Sequence, residues 1–467
     1  MGLLDRILAV FPEIKKPVEK RVSFKTKLKW SLIILAAFFV LGVIPLYGLG
    51  QNALIQFEQL SIILGASFGS IVSLGIGPIV TASIVLQLLS GSGLLKIDTT
   101  TPEGRKLFQG LQKLLIVFFI LFEALIYVLM GGLAPSSNLP LGKFRIAQTF
   151  LVLQLIFGGL LIMYMDDVIN KWGFGSGVSL FIAAGVSQQV FIRAFSPLTA
   201  AGTFALGSGE GAVGQVWVLF ASLIGRNTIG AMLALSAILA TIIVFLFSVY
   251  AQSMKVEIPL SFGRIRGHGI RWPLRFLYTS NIPVILIAAL LANIQLLASF
   301  LENAGRPWLG TFVGGAPATG FVTWIFPTAI IQNIITGSFR LIDLAHASMY
   351  LFLMIGGAVL FSYFWVQTSG MDAGSQAKQI MASGLQIPGF RRDERVLEQI
   401  LKRYITPLTI MGGIAIGFLA GAADLLGALT SGTGLLLTVM IIYRLYEEIA
   451  QQHMVDMYPA LRKVMEK

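Results

Sequence analysis

Cysteine is absent from all 467 residues. That removes structural disulfides, thiolate metal centres and cysteine nucleophiles together, and leaves the redox state of the compartment open. Histidine is nearly as scarce: His268, His346 and His453 stand far apart with no HExxH spacing, so zinc chemistry has no ligand set. Gly-Lys occurs only at Gly142–Lys143, without the spacing of a phosphate-binding loop, so no ATP-binding signature is present. Charge is short as well, at 12% of residues against about 25% in a soluble domain. Such a surface could not be clothed in polar groups. The first residues, MGLLDRILAVFPEIKKPVEKR, hold a short apolar run broken by Pro12 and no small-residue cleavage site, so a cleavable signal is not expected.

What fills the chain instead is apolar sequence. Hydrophobic residues make up 56%, and the mean hydropathy is +0.82. The length alone would suggest two or three soluble domains, but the hydropathy overrides that and predicts one membrane bundle. A hydrocarbon core about 30 Å thick takes roughly 20 apolar residues of helix. Ten spans meet that description: Leu28–Tyr47, Gly77–Leu89, Leu114–Gly131, Ile146–Met165, Val178–Phe195, Ile229–Tyr250, Ile282–Phe300, Ala347–Val366, Tyr404–Ala423 and Gly434–Ala450. An even count puts both termini on one side. The positive-inside rule tests this independently. With the N-terminus inside, 28 of the 34 Lys and Arg fall in inner segments and 6 in outer ones. One missed or invented span would scramble that alternation.

The second apolar region departs from a plain span. Leu60–Gly91 is 32 residues long and carries Gly65, Ser67, Gly69, Ser70, Ser73, Gly75, Gly77 and Pro78. Glycine is costly inside a helix and proline favours a first helical turn. The pattern predicts a short helix near Gln59–Ser67, a loose Gly/Ser stretch, and a new helix from Pro78. A single tilted and kinked helix is the plainer alternative. Non-helical backbone at that depth survives only where protein buries it or a watery cavity lines it. The outer segment 196–228 is Gly/Ser-rich and reads as a mobile hairpin, whereas the inner segments 251–276 and 368–403 are long and basic. Five spans precede 196–228 and five follow it. Two related halves would therefore have inverted topology, although no residue-level repeat is visible.

Few groups could carry chemistry at membrane depth. Glu123 lies inside LLIVFFILFEALIYVLM, where a charge costs about 2.5–3.5 kcal/mol, so it must face protein, water or a proton. Thr81, Gln87 and Asn293 are the polar residues able to meet it, and a simple helix-packing hydrogen bond is the plainer role. The run Gly173–Gly177 (GFGSG) resembles a phosphate cradle but opens an apolar span, which favours close helix approach. Arg391, Arg392 and Arg395 beside an amphipathic helix, with Arg264, Arg266 and Arg271 in the other basic segment, fit topology and anionic lipid. Docking on a polyanion is the functional alternative to that plainer role.

Four stretches then carry a resemblance: LGIGPIVTASIVLQLL (Leu74–Leu89), DDVINKWGFGSGVSLFIAAG (Asp166–Gly185), SNIPVILIAALLANIQL (Ser280–Leu296) and GFRRDERVLEQILKRYI (Gly389–Ile405). They resemble the SecY family of protein-translocating channels, closer to its archaeal and eukaryotic branch, along essentially the whole chain. The resemblance implies an all-α polytopic membrane protein with ten transmembrane helices in two inverted five-helix halves around a central pore. Residues 1–195 and 229–467 would be the halves and 196–228 the external hinge. It implies a plug at about 59–70 (Gln59, Leu60, Ile63, Gly65, Ser67, Gly69) and a lateral gate between spans two and three and spans seven and eight. It implies a pore ring of Ile76, Val80, Val178, Ile182, Ile285 and Leu436, and a gate-bridging polar cluster of Thr81, Glu123 and Asn293. Arg264, Arg266, Arg391 and Arg392 would dock a ribosome.

Ile76 and Val80 are four apart, as are Val178 and Ile182, so each pair shares one helical face. A ring of such side chains excludes ions by dewetting and yields to any extended polypeptide. The implied function is the central subunit of a protein-conducting translocon that also releases apolar segments sideways into lipid, with no catalysis, cofactor or metal of its own. The implied partners are a SecE-like single-span subunit, a small peripheral beta-type subunit, a ribosome, nascent chains with their signal sequences, and membrane lipids. The implied location is the cell membrane, with both termini cytosolic. The rival reading is a secondary transporter of small solutes, which needs convergent polar groups at mid-membrane. A membrane enzyme would need clustered His, Asp or Glu near an interface, and none stands out.

Overall fold

The computed structural model describes residues 14–15, 17, 22–50, 69–91, 94–95, 97, 101–129, 133–136, 140–199, 203–205, 211–262, 269–279, 282–303, 305–313, 316–382, 385–386 and 393–457. Its helices are α1 (Phe24–Val43), α2 (Gly77–Gly91), α3 (Pro102–Leu129), α4 (Leu141–Trp172), α5 (Gly177–Phe195), α6 (Gln215–Ile224) and α7 (Thr228–Ser253). They continue as α8 (Ile282–Asn303), α9 (Ile330–Ile335), α10 (Leu341–Thr368), α11 (Ala373–Ala382), α12 (Glu394–Leu425) and α13 (Gly432–Met457). Each of the ten expected spans falls on a helix: α1 to α5, α7, α8, α10, α12 and α13.

Eight of these are long and apolar enough by themselves to cross a bilayer. The other two are α2 and α13. With 15 residues, α2 reaches only about 22 Å, and the turns at residues 71–76 lead into it. The apolar part of α13 gives way to Arg444, Glu447 and Glu448. At the other extreme, α4 and α12 have 32 residues each, about 48 Å of helix, so both overhang a hydrocarbon core about 30 Å thick.

The span edges shift for local reasons. The first expected span ran from Leu28 to Tyr47, but α1 occupies Phe24–Val43. Ser23 caps its start, accepting the Thr26 amide at 3.4 Å. Its end is set by Pro45, which drives Ile44 into extended backbone. Beyond that end the chain pairs with the approach to α2: the Leu46 amide donates to Gly69 O at 2.7 Å and the Ile71 amide to Ile44 O at 3.0 Å. The described part of segment 196–228 includes helix. It contains α6, and Asn227 caps α7 through the Gly230 amide at 3.1 Å. Arg226, with φ of 56°, makes the turn between them.

The basic segments hold strand as well as loop. β1 (Lys255–Phe262) pairs antiparallel with β2 (Gly269–Arg275), and β5 (Leu385–Gln386) joins β1 through Ser261↔Gln386. A second hairpin, β3 (Thr311–Val313) with β4 (Ala316–Thr319), sits beyond the end of α8. Ile258 and Leu274 of the first sheet bury against Ala377, Ile380, Leu401 and Ile405, making a small core separate from the bundle's own.

Inside the bundle, close helix pairs use small residues, as membrane packing favours. A Cβ on Gly417 would lie 2.7 Å from Ile355 Cα, and one on Gly413 would lie 3.0 Å from Val359 Cα, so α12 lies directly on α10. Large apolar side chains point outwards elsewhere. On α7 these include Ile242, Phe245, Leu246 and Phe247, the composition of a lipid-facing surface.

Candidate functional site: an apolar constriction beside a polar seam

The site begins where α2 begins. Gly75 turns with φ of 53°, and the Val80 amide reaches Ile76 O at 3.0 Å, which closes the first helical turn. Ile76 and Val80 therefore lie on one face, at one and four per cent exposure. Ile182 on α5, Ile285 on α8 and Leu436 on α13 are buried in the same apolar core, and half-buried Val178 packs against it. A cavity of about 580 Å³ opens beside them. Val80, Val178 and Ile285 line it, with Ser83, Gln87, Gln112, Asp166 and Asn170 on the polar wall. Ile76, Ile182 and Leu436 lie in the core but not on that lining. The expected six thus share one core, and three of them face one cavity.

A polar seam runs alongside. Asn293 Nδ2 of α8 donates to Thr81 Oγ1 of α2 at 2.9 Å. The Thr81 hydroxyl lies 3.2 Å from Glu123 Oε1 of α3 and 2.8 Å from Gly77 O. It has one proton to share between those two acceptors. The three residues expected to meet do meet, linking three helices. Gln87 does not join them: it lies six residues further along α2, buried in the cavity wall, with no partner for its carbonyl oxygen among the described residues. Beside it, Gln112 Nε2 of α3 donates to Ser83 Oγ at 3.0 Å, a contact no sequence signal indicated.

The helices around the cavity form two contacts between the first five spans and the last five. In one, α2 packs on α8 and α10; in the other, α5 packs on α13. The GFGSG run serves close approach: the Phe174 amide donates to Ser31 Oγ at 3.0 Å, and a Cβ on Gly177 would lie 2.6 Å from Asp166 Cα. Of the residues expected to form a plug, Gly69 is described, with φ of 84°; Gln59, Leu60, Ile63, Gly65 and Ser67 lie outside the described residues. So do Arg264, Arg266, Arg391 and Arg392. Their neighbour Arg271 is exposed and bonds Glu257 Oε2 at 3.1 Å, which holds that carboxyl below the usual carboxylate range. Among the described residues no His, Asp or Glu group could hold a metal ion.

Comparisons with known proteins bear on the fold as a whole. The SecY family profile matches residues 70–446. The protein translocase subunit SecY of Methanothermobacter thermautotrophicus is 47% identical over 465 residues, which is 99% of this chain and 98% of that one. Its counterpart in Methanocaldococcus jannaschii is 41% identical, with all of both chains covered. Among solved structures, one described as a protein-conducting channel is 40% identical with a TM-score of 0.83, covering 98% of this chain and 99% of that one. Sec61 from the canine ribosome-channel complex of the endoplasmic reticulum, also 40% identical, has a TM-score of 0.80 at the same coverage.

Proposed function

The chain belongs to the SecY family, and from that premise we propose how its parts divide the work of a protein-conducting channel. It is the channel subunit of a translocon and passes unfolded secretory chains through the bundle. Residues 1–195 and 229–467 are the two halves, with 196–228 as the external hinge. The buried side chains at Ile76, Val80, Val178, Ile182, Ile285 and Leu436 form the constriction, and the cavity beside Val80, Val178 and Ile285 is its cytosolic mouth. The segment at about 59–70 plugs the other side.

The observation that carries this reading is the pairing of an apolar constriction with a polar bridge on one helix. On α2, Val80 faces the cavity while its neighbour Thr81 bonds Asn293 across the seam to α8. An opening of that seam would widen the constriction and expose a lateral path to lipid in one movement. Hydrogen bonds inside a bilayer contribute about 0.6–2 kcal/mol each. The bridge therefore biases the closed state without locking it, and an apolar signal segment can shift the balance by its preference for the open one.

The family is non-enzymatic, and the driving force belongs to a partner. A ribosome docks on the basic segments around β1–β2 and before α12, using Arg264, Arg266, Arg391 and Arg392. A single-span SecE-like subunit clamps the halves, with a small beta-type subunit at the periphery. The channel lies in the cell membrane with both termini cytosolic. Because the chain has no cysteine, one introduced at Val80 tests the constriction directly. It should crosslink to a stalled secretory chain; failure at Val80, Val178 and Ile182 together would remove the pore assignment.

A further inference from the structure

The first turns of α5 and α13 carry a matched device that the channel reading leaves unused. Asp166 lies near the end of α4, and its Oδ1 accepts the Val178 amide at 2.9 Å. The Gly177 amide and the Asn170 side chain face the same carboxylate. Asp424 lies near the end of α12, and its Oδ1 accepts the Thr433 amide, also at 2.9 Å. Its Oδ2 receives the Thr433 hydroxyl and, at 2.8 Å, the phenol of Tyr350 on α10. In both places a carboxylate on one long helix caps the helix that follows.

Each capped helix opens on a glycine for the same reason. A Cβ on Gly177 would lie 2.6 Å from Asp166 Cα and from its Oδ1, and one on Gly432 would overlap the Ala423 carbonyl and the Asp424 amide nitrogen. The two arrangements join the fourth to the fifth span and the ninth to the tenth, corresponding places in the two sets of five. By the alternation of spans they lie at opposite ends of the bundle. The connecting loops differ in length and sequence, so the correspondence is invisible when the sequence is read against itself.

A helix start leaves its first amides unsatisfied and favours negative charge beside it. A carboxylate accepting such an amide makes a short, strong bond, and its place on the preceding helix fixes where the next helix begins. The helices so held are the ones bearing Val178, Ile182 and Leu436. Each residue of slip moves a helix by about 1.5 Å and about 100°, enough to carry Val178 off the constriction face.

We infer that Asp166 and Asp424 are positioning residues of the channel: each fixes the depth and rotation of one constriction-bearing helix against its own half. The two caps together set the register in which the halves meet. This rests on the proposed pore ring, and the test separates the two. In the assembled complex, Val178→Cys is paired with a stalled precursor carrying one cysteine, and the adduct is measured in chains with Asp166, Asp166→Asn and Asp166→Ala. Loss of a cap is expected to reduce the Val178→Cys adduct about tenfold and to move it to Ser179→Cys. Asn, which keeps an acceptor oxygen, should preserve it.

The same series at Asp424 is read at Leu436→Cys. Thermal midpoints are recorded on every variant. An unchanged adduct in Asp166→Ala with a lowered midpoint would reduce the carboxylate to a stabilising cap and overturn the inference. No adduct in the Val178→Cys parent would overturn the ring assignment and this inference with it. If Asp166→Ala does not assemble, Asp166→Ser, with a shorter hydroxyl acceptor, takes its place and is read against the same two outcomes.

Discussion

The first five spans meet the last five along two contacts made of different materials. Where α5 meets α13 the surface is apolar and close: Val186 and Leu436 are each about one per cent exposed, and Gly434 brings its backbone against Val186. Where α2 meets α8, a threonine and an asparagine share a hydrogen bond in mid-seam. Lipid tails are as apolar as leucine, so interlocked side chains that part lose packing that lipid does not restore. A hydrogen bond that parts can be remade with water or an entering peptide. Under the proposed gate, the polar contact is the one that would open and the packed one the one that would turn.

That comparison can be broken outright. A Thr81→Cys/Asn293→Cys pair and a Val186→Cys/Gly434→Cys pair put one thiol on each side of the two contacts, at positions that already touch. Oxidising the first should abolish translocation into reconstituted vesicles until reductant is added. Oxidising the second should leave translocation running, and a block there would mean that α5 and α13 must also separate. A smaller effect is expected from Asn293→Ala. Losing one bridge of about 0.6–2 kcal/mol should raise the open population about threefold to thirtyfold, read as acceptance of less hydrophobic signal sequences. An unaltered hydrophobicity threshold would count against the bridge as a gate element.

Val186→Ala sharpens the other side. Removing two methyl groups from a close contact leaves a void and loses their dispersion contacts, so the thermal midpoint should fall while the signal threshold stays where it was. The smallest effect belongs to Arg193, whose Nη1 donates to Leu429 O at 3.3 Å at the rim of the same contact. Arg193→Ala should cost about 1 kcal/mol or less, with no change in threshold. A larger loss would show that the rim, and not the packed centre, holds α5 to α13.

Much of this architecture was legible because two independent signals agreed. Hydropathy placed ten spans, and the distribution of Lys and Arg supported the count. The boundaries followed less well, because helices such as α3, α4 and α12 continue through polar turns that hydropathy does not register. Pro45, by contrast, ends α1 early through a rule the apolar run conceals. In the site, Glu123 stood out as a lone carboxylate in an apolar helix, but its pattern left Thr81, Gln87 and Asn293 open as partners, and only the family resemblance singled out Thr81 and Asn293. Asp166 and Asp424 gave no comparable signal. Each sits near a helix end among ordinary polar residues, and its partner is a backbone amide, which leaves no mark on side-chain pattern. The strands β1, β2 and β5 were hidden for a related reason, since a basic connecting segment reads as loop until its partner across the fold is known.

One last consequence follows from the small core beneath β1 and β2. Their sheet shares it with the end of α10, with α11 and with the start of α12. The chain leaving β2 is fastened twice more before α8 begins: the Tyr278 phenol donates to Met371 O at 2.7 Å, and Thr279 pairs with Ser362 of α10 at 3.2 Å. The sheet and the chain that leaves it are thus tied to α10, α11 and α12 at several points. In the proposed gate α8 and α10 stand on the same side, so a partner gripping this sheet would hold that side at several points instead of by one loose end.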